Sequence, residues 1–253
     1  DDEKNEFIKI EPLSVPYFKR WYGAQEFINN KVRWCLWVGD CPPELLRNMP
    51  HVLKRIENVK NFRLMSKSES TRKIAKTPTR FHVENMPKSK HYLLIPKLSP
   101  ARREYIPIGF IESNIIVSDL VFIAPNANLY HFSVLTSKMH MIWLKYVCGR
   151  FGNEYRYSKD VVYNNFPWSD ATPEEMEAIA QKGQAVLDAR AKYPASSLAD
   201  LYDPLTMPAN LAKAHVHLDS AVDRLYRKKP FANDAERVAH LFTLYKELTK
   251  TKD

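Results

Sequence analysis

The sequence predicts an α+β fold, in which a mixed domain of short β-strands with helices precedes an all-α C-terminal subdomain. Residues 91–124 contain three short β-branched and aromatic runs separated by Pro, Gly or Asn, which is typical of strands. After Trp168, apolar residues recur at helical spacing instead. We therefore expect a linker with helices at 1–80, the strand-containing domain at 81–170 and the helical subdomain at 171–253.

The composition is that of a globular protein with a moderate excess of positive charge. Hydrophobic residues make up 45%, and 38 Lys and Arg stand against 29 Asp and Glu, for a net charge of +9. This charge indicates a polyanionic partner only weakly, because many proteins reach it. The cysteines Cys35, Cys41 and Cys148 are odd in number and form no C-x-x-C pair, so neither a disulfide framework nor a zinc site is predicted.

The sequence carries no sign of a membrane or export segment. No apolar run approaches the length of a membrane span, and the acidic start Asp1–Lys4 is unlike a signal peptide. The cysteine usage fits a reducing cytoplasm. Because the chain begins without an initiator Met, we expect a fragment of a larger protein.

The N-terminal segment mixes strand and helix signals. Val32–Val38 alternate enough to form a strand. Pro42-Pro43 is expected to open a helix, since proline suits the first helical turn. Apolar residues at helical spacing extend this helix from Glu44 to Phe62, with a kink at Pro50.

Residues 66–80 alternate small hydroxyl residues with cations and contain a single acid. Hydroxyls and cations together are the usual phosphate contacts of nucleic-acid-binding proteins, because both donate to phosphate oxygens without reading sequence. A solvated linker has the same composition, so the residues themselves favour neither interpretation. The candidate phosphate-binding residues here are Lys67, Arg72, Lys73, Lys76 and Arg80.

The strand-containing region adds two candidate features. Between predicted strands at 91–96 and 105–111, the turn from Lys97 supplies Arg102 and Arg103 as further candidates for phosphate binding. Ser118-Asp119 interrupts a third, apolar strand at 115–123. These two side chains either cap a turn or point at something outside the core.

A polar and aromatic stretch follows a helix predicted at 132–148, which Gly149 is placed to end. The stretch, 149–168, lacks clear helical or strand periodicity, as expected of a functional loop. Arg150 and Arg156 present planar donors that fit a guanine edge or a phosphate, and Glu154 can accept from cytosine. Composition alone favours the alternative, a surface loop anchored by its aromatic residues.

Three helices are predicted in the C-terminal subdomain. Thr172–Glu175 forms a capping box for the first, the second opens near Pro208, and Asn233–Glu236 caps the third. The cations between 224 and 229 fit a solvated turn better than a phosphate site. His215-x-His217 predicts no metal site, because residues two apart on a helix point to different faces.

The stretch 149–168 contains an ordered series of motifs, Gly149-Arg150, Tyr155–Ser158 and Val162–Trp168. It resembles the G-R-x-x-x-x-Y-R-Y-S and V-Y-N-[NT]-F-P-W signature of MmeI-like type II restriction-modification enzymes, which are adenine-specific DNA methyltransferases. The resemblance covers roughly residues 14 to 250. Upstream blocks similar to the same family are Tyr22-Gly23-Ala24, Trp34–Trp37, Ser66-Lys67-Ser68, Thr71-Arg72-Lys73, Tyr105–Phe110 and Tyr130-His131-Phe132.

This resemblance implies that 81–170 is a target recognition domain in a bacterial enzyme, with double-stranded DNA as its partner. It implies that 1–80 leads from a methyltransferase domain of the same parent chain, and it favours phosphate contacts for 66–80. The family's base-specifying positions fall on the signature and near Ser118 to Leu120. The candidate base-reading residues are therefore Arg156, Glu154, Gly152, Ser118, Asp119 and Arg150.

The sequence departs from the family at one of these positions. Family members often carry oppositely charged residues at the positions of Gly152 and Glu154. Because Gly152 has no side chain, we expect Glu154 to read one base pair alone or in a different way.

The chain is expected to be catalytically silent. It lacks a glycine-rich turn for S-adenosylmethionine, and Asp40-Cys41-Pro42-Pro43-Glu44 departs from the Asp/Asn-Pro-Pro-aromatic loop of amino-methyltransferases. The resemblance implies S-adenosylmethionine in the parent enzyme, with or without a fused endonuclease, and neither a cofactor nor a metal in this fragment. The alternative function is a structural or protein-interaction module that does not bind DNA.

Overall fold

The computed structural model describes residues 1–84 and 86–250, which form two compact units. Unit 1 comprises 1–22, 32–88 and 114–116, and unit 2 comprises 23–31, 89–113 and 117–253. Both contain helices and short strands, which confirms the predicted α+β class. Within the described ranges, none of the helices is long and apolar enough to cross a membrane.

Unit 1 combines helices with a short antiparallel pair of strands. The strand predicted at 32–38 is present, shorter than expected, and its Leu36 pairs with Phe18. The core is formed by Val38, Cys41, Met49 and Val52. The elements of unit 1 are α1 (Asp2–Ile10), β1 (Phe18–Tyr22), β2 (Trp34–Leu36), α3 (Pro43–Arg47), α4 (Pro50–Leu64) and α5 (Glu69–Lys73).

The prediction of one kinked helix from Glu44 to Phe62 is wrong. Two helices, α3 and α4, occupy this segment, and Pro50 is the first residue of α4. Proline is well tolerated there because the first helical N–H groups lack partners within the helix. The buried Glu11 carboxylate accepts a hydrogen bond from the His51 amide at 2.9 Å, which satisfies one of those groups.

Unit 2 contains two three-stranded antiparallel sheets surrounded by helices. Their strand orders are β5-β3-β7 and β4-β9-β8. A further strand, β6 (Ile116–Val117), lies where the chain passes from unit 1 to unit 2. The elements of unit 2 are α2 (Ala24–Ile28), β3 (His91–Pro96), β4 (Leu98–Pro100), β5 (Gly109–Glu112), β7 (Val121–Pro125), α6 (Leu129–Leu135), α7 (Lys138–Val147), β8 (Gly149–Phe151), β9 (Glu154–Arg156), α8 (Pro173–Ala191), α9 (Leu198–Leu201), α10 (Ala209–Tyr226) and α11 (Asp234–Lys250).

The predicted strands of this unit are partly correct. The strand at 91–96 is confirmed as β3, but the strand expected from Tyr105 begins only at Gly109. The strand expected at 115–123 is interrupted, because Ser118-Asp119 lies in a turn between β6 and β7. The structure supports the capped turn for Ser118, whose hydroxyl accepts from the Leu120 amide at 3.1 Å, whereas Asp119 is exposed and points away from the core.

Two expectations about the helix before the signature are wrong. The helix predicted at 132–148 is two helices, α6 and α7, and at the break the Ser137 hydroxyl donates to the Val134 carbonyl at 2.7 Å. Polar residues Thr136-Ser137-Lys138 mark this break, and Ser137 is the N-cap of α7, but the apolar residues on both sides also fit the spacing of one continuous helix. Gly149 does not end the helix either, because α7 stops at Val147 and Gly149 begins β8.

The three helices predicted in the C-terminal subdomain are confirmed as α8, α10 and α11, and the short α9 was missed. Thr172 and Glu175 form the expected capping box, and Asn233 accepts from the Glu236 amide at 3.0 Å. The histidine pair faces two ways as predicted, with His215 buried and His217 exposed.

Buried polar groups connect the strand-containing region to these helices. Arg190 of α8 donates to the Ile108 carbonyl at 2.7 Å and to the Tyr202 hydroxyl at 2.7 Å. The Tyr105 hydroxyl donates to Asp219 of α10 at 2.6 Å. Burial raises the pKa of Asp219 to about 6, although this hydrogen bond acts in the opposite direction. Buried hydrogen bonds thus hold the strand-containing region and the C-terminal helices in one fixed arrangement within unit 2.

A glycine sets the close approach of α8 to α6. A Cβ on Gly183 would clash with the Oγ of Ser133 and would lie 3.1 Å from its Cβ. Because Ser133 is fully buried, it has little room to move away. Glycine is therefore required here by packing, even though it weakens a helix interior.

We expect Gly183→Ala to lower the free energy of unfolding by about 1 to 3 kcal/mol, because overpacking outweighs the better helix propensity. Urea denaturation followed by circular dichroism measures the change. Lys182→Ala, at an exposed neighbouring position, is the control and should stay within about 0.5 kcal/mol of wild type. A Gly183→Ala protein as stable as wild type would contradict this packing argument.

Candidate nucleic-acid interface

The signature stretch, expected to be a loop, begins as a β-hairpin. Strands β8 and β9 pair Gly149 with Arg156, Arg150 with Tyr155 and Phe151 with Glu154. Strand β4 continues the sheet on the other side of β9. The hairpin is closed by two residues, Gly152 and Asn153, and Gly152 has a positive φ of 56°. Glycine at the first position of a two-residue hairpin loop is a favoured arrangement, because only glycine adopts this φ without strain.

The two faces of this sheet differ in chemistry. Ser99, Tyr155 and Arg150 occupy one face, because directly paired residues point the same way. Tyr155 is 6% exposed, and the Arg150 guanidinium lies 4.5 Å from its ring centroid. We call the opposite side the outward face, which carries Phe151, Glu154 and Arg156. It thus presents an acceptor and a donor to solvent.

Arg156 is exposed and, within the described residues, makes no hydrogen bond or ion pair through its guanidinium. Glu154 and Arg156 are two residues apart on β9, so at about 3.3 Å per residue their side chains are separated by roughly 6.6 Å along the strand. The outward face therefore offers adjacent groups of opposite hydrogen-bonding character.

Buried tyrosines and a histidine anchor the hairpin to unit 2. The Tyr157 hydroxyl lies 2.9 Å from Nε2 of His140 in α7. Burial lowers the pKa of His140 to about 3, so the imidazole is neutral near pH 7, and burial also raises the pKa of Tyr157. After the hairpin, the Trp143 indole donates to the Val162 carbonyl at 2.9 Å and holds the following π-helical turn (Lys159–Tyr163).

A second predicted group, the turn at Ser118 to Leu120, is connected to the hairpin through Lys97. The Lys97 amide donates to the Leu120 carbonyl at 3.1 Å, and the Lys97 carbonyl accepts from the Tyr157 amide at 2.8 Å. The Lys97 ammonium lies 4.6 Å from the Phe122 ring centroid. The structure therefore brings together both groups of candidate base-reading residues in unit 2. The linking role of Lys97 had no signal in the sequence.

The two candidate phosphate-binding arginines of unit 2 are engaged within the chain. Arg102 forms an ion pair with Asp203 at 2.7 Å. Arg103 is only 8% exposed, and burial, followed by the nearby Arg102 charge, lowers its pKa. Burial leaves little of the Arg103 guanidinium for a phosphate, and the Arg102 side chain, although 64% exposed, has its charge paired with the mostly buried Asp203.

The candidate phosphate-binding residues of unit 1 lie on α5 and its flanks. The Ser68 hydroxyl caps α5, and the Arg63 guanidinium donates to the carbonyls of Ile74, Thr77 and Arg80, an anchoring role that the sequence did not suggest. Arg80 is held by Asp40 at 3.0 Å and by Glu84 at 2.6 Å. The other cations of this segment, Lys67, Arg72, Lys73 and Lys76, are exposed as Arg80 is, but in the described part of the chain no pair of carboxylates holds them.

Two of these four cations, Arg72 and Lys73, have partners within the chain but remain exposed enough to contact a phosphate. Arg72 donates to the Ser66 and Lys67 carbonyls, which fold the start of the segment over it. Lys73 pairs with Glu69 at 2.9 Å, but both side chains are more than two-thirds exposed, so the pair is weak. Lys67 and Lys76 have no ion-pair partner within the described residues.

Two family models together match nearly the whole chain. One, described as the MmeI target recognition domain, matches residues 1–170, and the other, the MmeI C-terminal domain, matches residues 169–252. DNA methyltransferase A of Bacillus subtilis (strain 168) is 37% identical over 248 residues, which are 98% of this chain and 28% of that protein.

A solved structure supports the same relationship. It is described as the type IIL restriction-modification enzyme MmeI in complex with DNA and matches with a TM-score of 0.95 at 45% identity, over 99% of this chain and 33% of that one. The chain therefore spans about a third or less of the length of these relatives.

The region that carries the strand-borne polar face thus belongs to the class of target recognition domains. The chain is a member of the MmeI family, of which it carries the target recognition and C-terminal domains. This confirms the family predicted from the signature motifs.

The turn glycine of the hairpin gives a direct test of this geometry. We expect Gly152→Ala to lower the free energy of unfolding by about 1 kcal/mol, because alanine is strained at positive φ, and Gly152→Asn to lower it less. Gly149→Ala is the matched control. Its added Cβ, like that of Gly152, meets no atom within 4 Å, but its φ is unstrained. Equal losses for the two alanine variants in urea denaturation would show that the hairpin turn is not as described.

Proposed function

We propose that this chain reads a short DNA sequence through the outward face of the β4-β9-β8 sheet, as the recognition part of a restriction-modification enzyme in a bacterial cytoplasm. The observation that carries this proposal is the adjacent acceptor and donor, Glu154 and Arg156, on an exposed sheet face of an MmeI-family chain. A two-stranded ribbon fits the major groove, where each base pair presents a distinct pattern of donors and acceptors.

The chemistry of the pair suits base reading. Arginine donates two hydrogen bonds to O6 and N7 of guanine, and glutamate accepts from the amino group of cytosine. Each such contact discriminates against a wrong base by about 1 to 3 kcal/mol. Because Gly152 contributes no side chain, Glu154 reads its base without a charged neighbour in the turn.

Arg150 is placed outside the base-reading set of this proposal. Its side chain lies over Tyr155, on the face opposite to Glu154 and Arg156. Ser118 and Asp119 stay in the set as candidates, since the Lys97 backbone connects their turn to the hairpin.

For phosphate contact we propose Lys67, Arg72, Lys73 and Lys76, which are exposed. Arg80, Arg102 and Arg103 are excluded because carboxylates or burial engage them. Contacts of this kind position a protein on the duplex without carrying sequence information.

We further propose that the parent protein is an adenine-N6 methyltransferase that uses S-adenosylmethionine bound outside this chain. A base must leave the stack to reach a methyl donor, so a recognition domain holds the surrounding duplex. The residues present do not fit the cofactor. Within the described residues, Gly23 stands directly between a strand and a helix, but the Glu26 carboxylate and the Ser118 hydroxyl occupy the space beside it, at 2.7 and 3.0 Å from the position of a Cβ.

Base reading by Arg156 predicts a loss confined to one base pair. With fluorescence anisotropy on matched and singly mismatched duplexes, Arg156→Ala should reduce discrimination at one position by about 1 to 3 kcal/mol. Arg150→Ala, which removes an arginine from the opposite face of the hairpin, is the control and should keep the same sequence preference. If Arg156→Ala weakened binding to matched and mismatched duplexes equally, Arg156 would not be a base-reading residue.

Phosphate contact by the α5 segment predicts the opposite behaviour. Lys73→Ala and Lys76→Ala should weaken binding to all duplexes alike and should each reduce the slope of log affinity against log salt by about 1. Lys192→Ala, which removes an exposed charge at the end of α8, should leave the slope unchanged. A wild-type protein with no salt-dependent DNA binding would favour the protein-interaction alternative instead.

A further inference from the structure

An apolar side chain shares the outward face with the two proposed base-reading residues. Phe151 is 67% exposed, and no other aromatic ring within the described residues packs against it. Exposure alone carries little, because single apolar residues are common on protein surfaces. The position of this residue in the sheet is more informative.

Phe151 is the direct cross-strand partner of Glu154. The Cβ atoms of such partners lie about 4.5 to 5.5 Å apart on the same face. Along β8 both side chains are exposed, but Arg150 lies over the Tyr155 ring on one face and Phe151 is on the outward face. The hairpin thus presents its phenyl ring beside the Glu154 carboxylate.

The major groove contains one prominent apolar group, the 5-methyl of thymine, and phenylalanine is among the side chains that contact it. The Glu154 carboxylate beside the Phe151 ring is complementary to a cytosine amino group beside the 5-methyl of a neighbouring thymine. Insertion of the ring between base pairs is disfavoured by the fold, because the turn residues Gly152 and Asn153 extend beyond Phe151 at the hairpin tip.

We propose that Phe151 is a specificity-determining residue that reads the 5-methyl of a pyrimidine next to the base contacted by Glu154. This inference rests on the proposed function. Burying one methyl contributes about 0.8 kcal/mol, which corresponds to roughly a fourfold change in affinity.

The experiment has two stages. Wild type and Arg156→Ala are first used to enrich duplexes from a randomised pool, which defines the preferred sequence. Each thymine of that sequence is then replaced by deoxyuridine, which lacks only the methyl group, and binding of wild type, Phe151→Ala and Phe151→Leu is measured. Wild type is expected to bind about fourfold more weakly at one substituted position. Phe151→Ala should lose this difference, and Phe151→Leu, which keeps an apolar side chain, should retain part of it.

The other outcomes separate the two proposals. If Phe151→Ala keeps the full preference for thymine over deoxyuridine while Arg156→Ala still loses preference at its own base pair, the role of Phe151 is refuted and the proposed function stands. If Phe151→Ala lowers affinity for all duplexes alike, with a change in DNA bending, the ring acts as a wedge and the methyl contact is refuted. If wild type enriches no sequence, both proposals fail.

Discussion

The candidate interface depends on the alternation of side chains along β9. Tyr155 and Tyr157 point into unit 2, and the residues between and before them, Arg156 and Glu154, are therefore held on the outside. A slip of one residue in the register would bury two charged groups and expose two aromatic rings, which is strongly disfavoured. The hydrophobic effect acting on the tyrosines thus orients the polar groups that we propose to read DNA.

Competition from carboxylates decides which cations remain available. The candidates for phosphate binding look equivalent in the sequence, yet Arg80 and Arg102 are paired with acids and Arg103 is buried. Arg156 lies on the exposed face without such a partner in the described part of the chain. A guanidinium that is already paired with a carboxylate gains less binding energy from a phosphate or a base. Ion pairs within the protein therefore reduce the number of cations available to bind DNA.

The helical C-terminal region is also tied to the segment between β4 and β5. Arg190, Tyr202, His215 and Asp219 connect it to Tyr105 and Ile108 through buried hydrogen bonds and a ring contact. Breaking such a network exposes unsatisfied polar groups in the interior, so the network favours a single arrangement. Residues of both family domains therefore pack in unit 2. The domain boundary predicted at residue 170 stays a prediction.

The sequence by itself determined the fold class, the family, the strand β3 and the three long C-terminal helices, because these depend on local periodicity, capping residues and motifs. It also pointed to Glu154 and Arg156. Only the tertiary structure decided that the signature begins as a hairpin, that Arg150 lies over Tyr155 while Phe151 faces outward, and that helices break at Asn48-Met49 and Thr136-Ser137. The two faces of the hairpin depend on cross-strand register and on packing of the tyrosines against unit 2, which the sequence of the strands does not specify. The helix breaks coincide with Pro50 and Ser137, but the apolar spacing on either side of each break is the same as that of one continuous helix.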